Sequence, residues 1–287
     1  MASTSDAAEI ERIETALRAW RQGDATVGEG TFLVHIADKR VPLTPTARAS
    51  VGEAPPQHNL FDVFSAVEGL VVVSQSCDIV KKCSASQYLE VSPLVVSKDD
   101  MEFEEIRKRR RTRYAYLPGL ADRKLVVDLE RTMTVEKAVV ASWNRSPGCA
   151  TDKERATFAE ALARKRRRFA FPDGFNAGLR KFRDRIRRAE GRGTAGHLVA
   201  ALDEIRVQPF PNCDAAKVTV FFWFLLEPQK ITDFDSARKI VEGWMGAIGL
   251  SGPFTLGDPA FDIVEPRDMT VDQYLSSHAL DYDDISP

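Results

Sequence analysis

The sequence contains few of the residues that build metal centres and disulfide frameworks. Its 287 residues include only four cysteines and four histidines. No two cysteines form a CxxC pair and the histidines stand singly, whereas a zinc site needs such ligands at short spacing. The sequence therefore predicts reduced thiols, no structural metal and no cofactor. The residues concerned are Cys77, Cys83, Cys149, Cys213, His35, His58, His197 and His278.

Long apolar runs are also lacking. The longest lies around residues 218–226, which is less than half of the roughly 20 residues that cross a bilayer. The N-terminus is polar and acidic, whereas a secretory signal is basic and then apolar. We therefore expect a cytoplasmic protein with no membrane partner. Because hydrophobic residues make up 44% and charged residues 29% of the chain, we expect a folded protein of one or two domains.

Charge is distributed unevenly, although the net charge is only −2. Residues 1–150 carry 20 basic and 21 acidic groups, residues 151–206 carry 15 and 8, and residues 207–287 carry 5 and 13. The middle of the chain is therefore basic and the C-terminal part is acidic. This distribution is more informative about partners than the net charge.

The first half of the chain alternates strand-like segments with turns. Ile10, Ile13 and Leu17 are placed at helical spacing and predict an amphipathic N-terminal helix. Turn residues cluster at 144–151, where the charge balance also changes, so we place a boundary between domains 1–148 and 149–287. The predicted strands of this half are 31–37, 70–74 and 88–91, followed by 124–129 and 132–135 as two strands or one bent strand.

The second half has helical and β-type patterns. Phe182 and Ile186 belong to the apolar stripe of one predicted helix, and Val241 and Trp244 belong to that of another. The almost continuous apolar segment 217–226 predicts a central strand. An acidic tail is expected after Gly249. The other predicted elements are a helix over 152–168, a short helix over 198–202 and a strand over 204–208.

Residues 21–140 resemble the PemK/MazF-like toxin family, whose fold is a small SH3-like β-barrel. Four pieces carry the resemblance in the family's order: Gly23-Asp24, and segments 70–74, 88–93 and 126–137. The last, VVDLERTMTVEK, resembles the family's closing strands most specifically. The resemblance implies an α+β fold, in which an SH3-like (PemK-like) barrel with insertions at 42–66 and 98–120 precedes a helical and β C-terminal part.

Catalytic residues of that family are missing from the matching positions. In the family, an arginine before the central strand stabilises the developing phosphorane charge, and a threonine or serine orients the attacking 2′-hydroxyl. The matching positions hold Glu68 or Gly69 for the arginine and Val95 for the hydroxyl. A carboxylate near a scissile phosphate repels it. The resemblance therefore implies a degenerate barrel that is retained for binding.

Two further sets of residues are weak candidates for catalysis. Cys77 follows a predicted strand and would be a nucleophile if His35 or His58 acted as its base. Alternatively, Cys77 is a small buried residue and Asp78 caps the following turn. A nuclease whose catalytic groups have moved from the family's positions would use Asp78, Arg131 and Thr134.

A metal-dependent nuclease site is another hypothesis for the same region. Asp128, Glu130 and Glu90 could hold Mg²⁺ while Lys137 contacts the phosphate. No Pro-Asp or Glu-x-Lys spacing supports this hypothesis. Alternating charges on the outer faces of strands explain the same residues.

Three basic runs are the strongest chemical signal in the sequence. Arginine outnumbers lysine in each run, and its planar guanidinium group matches phosphate oxygens and stacks on bases. Tyr114, Tyr116, Phe169 and Phe171 adjoin two of the runs and could stack on unpaired bases. The runs consist of Arg107, Lys108, Arg109, Arg110, Arg111 and Arg113; Arg164, Lys165, Arg166, Arg167 and Arg168; and Arg180, Lys181, Arg183, Arg185, Arg187 and Arg188.

We expect these runs to bind RNA or DNA, in a bacterial interaction module of a toxin-like or antiphage defence type. The context comes from the family resemblance alone. One alternative is a divergent nuclease. Another is a subunit of a larger assembly, whose arginines meet an acidic protein surface or the acidic residues 258–284 of this chain. Simple solvation of helix faces also explains the runs.

Overall fold

The computed structural model of the protein describes residues 4–36 and 61–280. Most of the predicted insertion 42–66, together with His58, lies outside these residues, as do the acidic residues after Leu280. The chain divides into two compact units, Met1–Arg166 and Arg167–Pro287. The first unit extends beyond the expected boundary at 148 and includes the helix that follows it.

The first unit begins with a helix and is otherwise built mainly around one sheet. Its helices are α1 (Thr4–Leu17), α2 (Ser76–Ile79), α3 (Asp100–Arg107), α4 (Lys137–Ala141) and α5 (Asp152–Arg166), with a 3₁₀ turn at Pro118–Arg123. Its strands are β1 (Ala25–Ile36), β2 (Phe61–Val72), β3 (Tyr88–Val96), β4 (Tyr114–Tyr116), β5 (Leu125–Asp128) and β6 (Met133–Glu136).

The six strands form an antiparallel sheet in the order β1-β2-β3-β5-β4, and β6 also pairs with β3. β3 is central because its residues pair with three different strands: Leu89 with Val135 of β6, Ser92 with Val71 of β2, and Val95 with β5. Among the described strands, β1 pairs only with β2 and β4 only with β5, and Ala25 of β1 forms a further isolated bridge with Ser146. The sheet is therefore open, and the closed barrel expected from the sequence is not found in this part of the chain.

Helix α5 packs on the core of the first unit through Phe158, which is almost fully buried. This side chain belongs to the same apolar cluster as Val71, Leu94, Leu117 and Val127 of the sheet region. Burying a phenylalanine stabilises a fold by about 1.5 to 3 kcal/mol. Packing of this side chain explains why the unit continues to Arg166.

Helix α1 covers another part of the same unit. Ile13, Leu17 and Trp20 are buried against a cluster that includes Val91 and Val140. Ile13 and Leu17 lie on one face of α1 as predicted, whereas Ile10 is exposed and Trp20 follows the end of the helix. Helix α1 therefore packs against both β3 and α4.

The second unit begins with three helices, after which strands and helices alternate along the chain. Its helices are α6 (Asp173–Gly178), α7 (Arg180–Ala189), α8 (Gly193–Ala201), α9 (Phe234–Met245) and α10 (Val271–Leu275), with a 3₁₀ turn at Pro266–Asp268. Its strands are β7 (Leu202–Phe210), β8 (Val218–Leu226), β9 (Phe254–Val264) and β10 (His278–Ala279).

The sheet of the second unit has the order β10-β7-β8-β9. β7 is antiparallel to β8, and β9 is parallel to it. β8 is a central strand, as its apolar sequence predicted. β9 corrects the expectation of an acidic tail beginning after Gly249, because residues 254–264 pair with β8 as a regular strand.

Aromatic side chains form the core of this unit. Phe182 of α7 and Phe175 of α6 contact Phe222 of β8, with ring centroids 5.7 and 6.5 Å apart. Trp244 of α9 contacts Phe224 at 6.3 Å. These contacts fix α6, α7 and α9 on the sheet and so determine which face of α7 is left in solvent. None of the helices in the described residues combines the length and apolar character needed to cross a bilayer.

Candidate functional site

Helix α7 separates its apolar and basic residues onto different faces. Phe182 and Ile186 are buried in the core, 0% and 2% exposed. Arg180, Lys181 and Arg188 are exposed. The helix therefore presents a row of cations to solvent while its other face holds it on the sheet.

These cations line a groove between α7 and the segment 246–249 that follows α9. The groove encloses about 890 Å³. The Gly249 amide donates a hydrogen bond to the Gly178 carbonyl oxygen at 3.0 Å, which brings the two segments together. A Cβ atom on Gly178 would lie 2.8 Å from the Gly249 oxygen, so glycine is required for this approach. The lining residues are Ala177, Gly178, Arg180, Lys181, Asp184, Arg185, Arg188, Gly246, Ala247, Ile248 and Gly249.

Most of the groove's positive charge is not neutralised within the described residues. Arg180, Lys181 and Arg188 form no ion pair with any carboxylate in this part of the chain. Arg185 donates a hydrogen bond to the Gly243 carbonyl oxygen, which leaves its positive charge in place. Asp184 is the only acidic lining residue. The groove therefore carries an excess of positive charge.

Two other predicted binding residues on α7 lie elsewhere. Arg183 is buried, 6% exposed, and donates a hydrogen bond to the Asn176 side-chain oxygen at 3.1 Å. Its location corrects the expectation of a solvent-facing phosphate contact, because the guanidinium group joins α7 to α6. Arg187 is exposed and lies 4.0 Å from Asp184.

The run 107–113 in the first unit is largely paired with carboxylates. Arg107 pairs with Glu104 at 2.5 Å. Arg109 pairs with Glu160 of α5 at 2.8 Å. The remaining pairs are Arg111 with Glu105 at 2.6 Å, and Arg113 with Glu130 at 3.2 Å and with Asp128 at 3.5 Å. Lys108 is exposed. Phosphates would have to compete with these carboxylates for the arginines.

The run 164–168 is similarly engaged where it belongs to α5. Arg164 donates a hydrogen bond to the Arg109 carbonyl oxygen at 2.9 Å. Lys165 lies 3.8 Å from Glu130, and Arg166 lies 3.0 Å from Glu90. Arg167 and Arg168 are exposed and begin the second unit.

The four aromatic residues expected to stack on bases contact other side chains of the protein. Tyr116 packs edge-on against Phe103 at 5.7 Å, and the Arg113 guanidinium lies 5.1 Å from the Tyr114 ring. Burial raises the pKa of Tyr114. In the second unit, Phe169 and Phe171 pack against each other at 4.9 Å. Phe171 is buried, which corrects the expectation of stacking for that ring, whereas Tyr114, Tyr116 and Phe169 are half-buried.

The described side chains around Cys77 do not include a histidine base for the thiol. Cys77 is exposed, which corrects the interpretation of a buried core residue. Its Sγ lies 3.6 Å from the Gln75 side-chain oxygen. Asp78 pairs with Lys81 at 2.6 Å. His35 lies on β1, and His58 falls outside the described residues. No base is therefore placed beside Cys77 by the described side chains.

Arg131 and Thr134 occupy different surroundings. Arg131 pairs with the buried carboxylate of Asp128 at 2.9 Å and lies 5.7 Å from the Phe32 ring. Thr134 is exposed on β6, opposite Glu90 of β3. Arg131 is held by a structural ion pair, so its charge is already compensated.

The residues considered for a magnesium site also have other partners. Asp128 accepts hydrogen bonds from the Glu130 amide and from Arg131. Lys137 is buried and donates to the Lys81 carbonyl oxygen at 2.5 Å, and desolvation lowers its pKa. Within residues 4–36 and 61–280, no group of three or more His, Cys, Asp or Glu side chains is arranged to hold a metal ion.

Comparisons with protein-family models, with curated proteins and with solved structures find no significant match to this chain. A function for this site therefore has to be inferred from the geometry of the site itself. The basic residues of α7 are evident in the sequence, whereas the segment 246–249 opposite them was not predicted. The sequence feature that marks this segment is the recurrence of Gly243, Gly246 and Gly249 at the end of a predicted helix.

The surroundings of one histidine in the second unit predict that folding stability depends on pH. The His278 ring stacks on Phe169 with centroids 3.8 Å apart. Burial, and then the charge of Arg206, lower the pKa of His278. An unfolded histidine titrates near pH 6.5, so the unfolded state binds more protons just below that value. We expect stability to fall as the pH drops from about 6.5 toward the lower folded-state pKa.

This expectation is tested by melting temperatures between about pH 8 and pH 5. The matched control is His278→Gln, which leaves the other three histidines in place. We expect the wild-type melting temperature to fall more steeply on acidification than that of the variant. Parallel curves would show that His278 does not contribute to the pH dependence.

Proposed function

We propose that this protein binds nucleic acid through the basic groove between α7 and the segment 246–249. The single observation that carries the proposal is the row of Arg180, Lys181 and Arg188, which form no ion pair within the described residues. The paired arginines of the first unit contribute less, because a phosphate must displace a carboxylate there. The proposal places the protein in the cytoplasm, where RNA and DNA are accessible.

Phosphate is the ligand chemistry that best fits this groove. Guanidinium and ammonium groups bind phosphate oxygens with charge-assisted hydrogen bonds. Binding to a polyanion releases condensed counterions, so each neutralised phosphate adds to the salt dependence of affinity. A row of exposed cations on one rigid helix is suited to successive phosphates, because the helix is held in place by Phe182 and Ile186.

The test is binding of labelled nucleic acid across a salt series. The variant combines Arg180→Gln, Lys181→Gln and Arg188→Gln. We expect it to bind weakly, and the slope of log K against log salt to fall by about 2 to 3 relative to the wild type. A gel run in parallel shows whether the strands remain intact.

The matched control removes the same charge from arginines that are exposed and ion-paired: Arg107→Gln, Arg166→Gln and Arg238→Gln. Their partners are Glu104, Glu90 and Asp262. We expect this control to keep most of the affinity. Equal loss in both variants would contradict a specific groove, and no binding by the wild type at low salt would reject the function. In that case an acidic protein partner becomes the better explanation.

We also propose that residues 21–140 are a noncatalytic relative of the PemK/MazF-like barrel, in a toxin-like or antiphage defence setting. The support is that β2, β3, β5 and β6 overlap the segments 70–74, 88–93 and 126–137 that carried the resemblance. The competing hypothesis is a divergent nuclease that uses Asp78, Arg131 and Thr134. Shortened strands that disappear with Arg131→Ala would favour the nuclease.

A further inference from the structure

We propose that the groove selects duplex nucleic acid over single strands and does not depend on base sequence. This inference rests on the proposed function and specifies its ligand class. It follows from what lines the groove, where its charges lie and where the aromatic side chains of the same unit are located.

No aromatic side chain is found among the described residues that line the groove. Its surface consists of arginine and lysine, one aspartate, and the small or aliphatic residues Ala177, Ala247 and Ile248 with three glycines. Proteins that bind single strands stack the bases on aromatic side chains, and the cations follow the backbone. The described lining of this groove supplies the cations but no aromatic side chains.

The exposed aromatic residues of the second unit lie on other elements. Among the described residues, Phe210, Phe234 and Tyr274 are the exposed ones. Phe234 begins α9, whereas the groove lies after the end of that helix, about 18 Å away at 1.5 Å per residue. Phe210 ends β7, and the Tyr274 ring is covered by the Arg206 guanidinium at 3.9 Å. None of them supplies a stacking surface to the groove.

A surface that binds only phosphates favours a duplex. A double helix carries one negative charge per about 1.7 Å of its axis, with its phosphates already in fixed rows. A flexible single strand loses conformational entropy when it is ordered, and stacking on aromatic rings normally offsets that loss. Without stacking, the single strand gains only its weaker phosphate contacts.

The cations of α7 are spaced for a row of phosphates. Arg180 and Arg188 are eight residues apart, which corresponds to about 12 Å along a helix axis. Phosphates of one strand rise about 3.4 Å per base pair, so this row covers about three of them. Three contacts predict a log–log salt slope of about −2.7 for a duplex and about −2.1 for a single strand.

The test compares five ligands of equal length with the full chain: duplex DNA, duplex RNA, single-stranded DNA, single-stranded RNA and an abasic single strand. We expect both duplexes to bind more tightly than any single strand. Between about 50 and 200 mM salt, duplex affinity should fall about 40-fold. The abasic strand should bind as well as the strand that carries bases, and a change of base sequence should leave duplex affinity unchanged.

Tighter binding of a single strand, or loss of single-strand affinity when its bases are removed, would overturn the duplex inference while leaving the proposed function in place. Absence of binding to all five ligands would reject both. A variant adds an independent readout: Ala177→Trp introduces an aromatic ring at the groove. It should raise the ratio of single-strand to duplex affinity by about fivefold or more. An unchanged ratio would contradict the inference that the groove prefers a duplex because it lacks aromatic rings.

Discussion

Replacing Gly69 by alanine is expected to destabilise the first unit by about 3 to 5 kcal/mol. Gly69 has φ of +143°, a region that residues with a side chain rarely adopt. An added Cβ atom would lie 2.2 Å from the Thr26 carbonyl oxygen and 3.1 Å from the Val27 Cα atom. Both are backbone atoms of β1, so relief requires separating β1 from β2 near its bulge. Urea unfolding of the variant and the wild type measures the difference.

The matched control for this prediction is Gly30→Ala. Gly30 lies on β1 on the other side of the same bulge, and a Cβ atom there would meet Val67 at an ordinary contact distance of 3.5 Å. We expect a change within about 1 kcal/mol. If Gly69→Ala unfolds at the same urea concentration as the wild type, β1 and β2 are less tightly paired than the structure indicates.

The geometry at Gly69 also bears on the resemblance to the PemK/MazF-like family. One of the two positions that match the family's arginine is Gly69, where any side chain meets the β1 backbone. The other is Glu68, which is exposed and has no such restriction. Of the two substitutions, Glu68→Arg is therefore the one that would introduce an arginine without disrupting the sheet.

The pattern of apolar residues along the sequence predicted helices and strands whose buried face is evident from that pattern alone. The spacing of Ile13 and Leu17 predicted α1, and the apolar residues of β8 predicted a central strand. β9 was missed because Gly257, Asp258 and Pro259 interrupt its pattern. Its formation depends on pairing with β8, which is a nonlocal contact. The open sheet of the first unit was also not predictable, because closure depends on which edge strands pair.

The candidate site was predictable in composition but not in location. The basic runs can be read directly from the sequence. The carboxylates that neutralise them cannot, because partners such as Arg109 and Glu160 are 51 residues apart. Arg183 shows the same limit within one helix. It belongs to the same run as Arg180, yet its guanidinium is buried against α6. Tertiary contacts therefore decide which arginines remain accessible to phosphate.

Replacing Arg206 by alanine is expected to destabilise the second unit by about 3 to 5 kcal/mol. Arg206 lies on β7 and is 5% exposed. It donates hydrogen bonds to the Ser277 hydroxyl at 2.8 Å, the Ser277 carbonyl oxygen at 2.6 Å and the Tyr274 carbonyl oxygen at 2.8 Å. It also pairs with Glu204, whose carboxylate is largely buried, at 3.1 Å. Alanine would leave that carboxylate and both carbonyl groups without these donors.

Thermal unfolding and hydrogen exchange of the amides in residues 271–280 test this role together. Arg238→Ala is the control, because Arg238 also pairs with a carboxylate, Asp262, but is exposed, so its loss should cost at most about 1 kcal/mol. Arg206→Lys keeps the charge but cannot reproduce the planar set of donors, so we expect it to recover only part of the stability. If Arg206→Ala matched the Arg238 control, β10 and α10 would be held by their apolar contacts. Faster exchange confined to 271–280 would instead show that this one guanidinium fixes the C-terminal segment to β7.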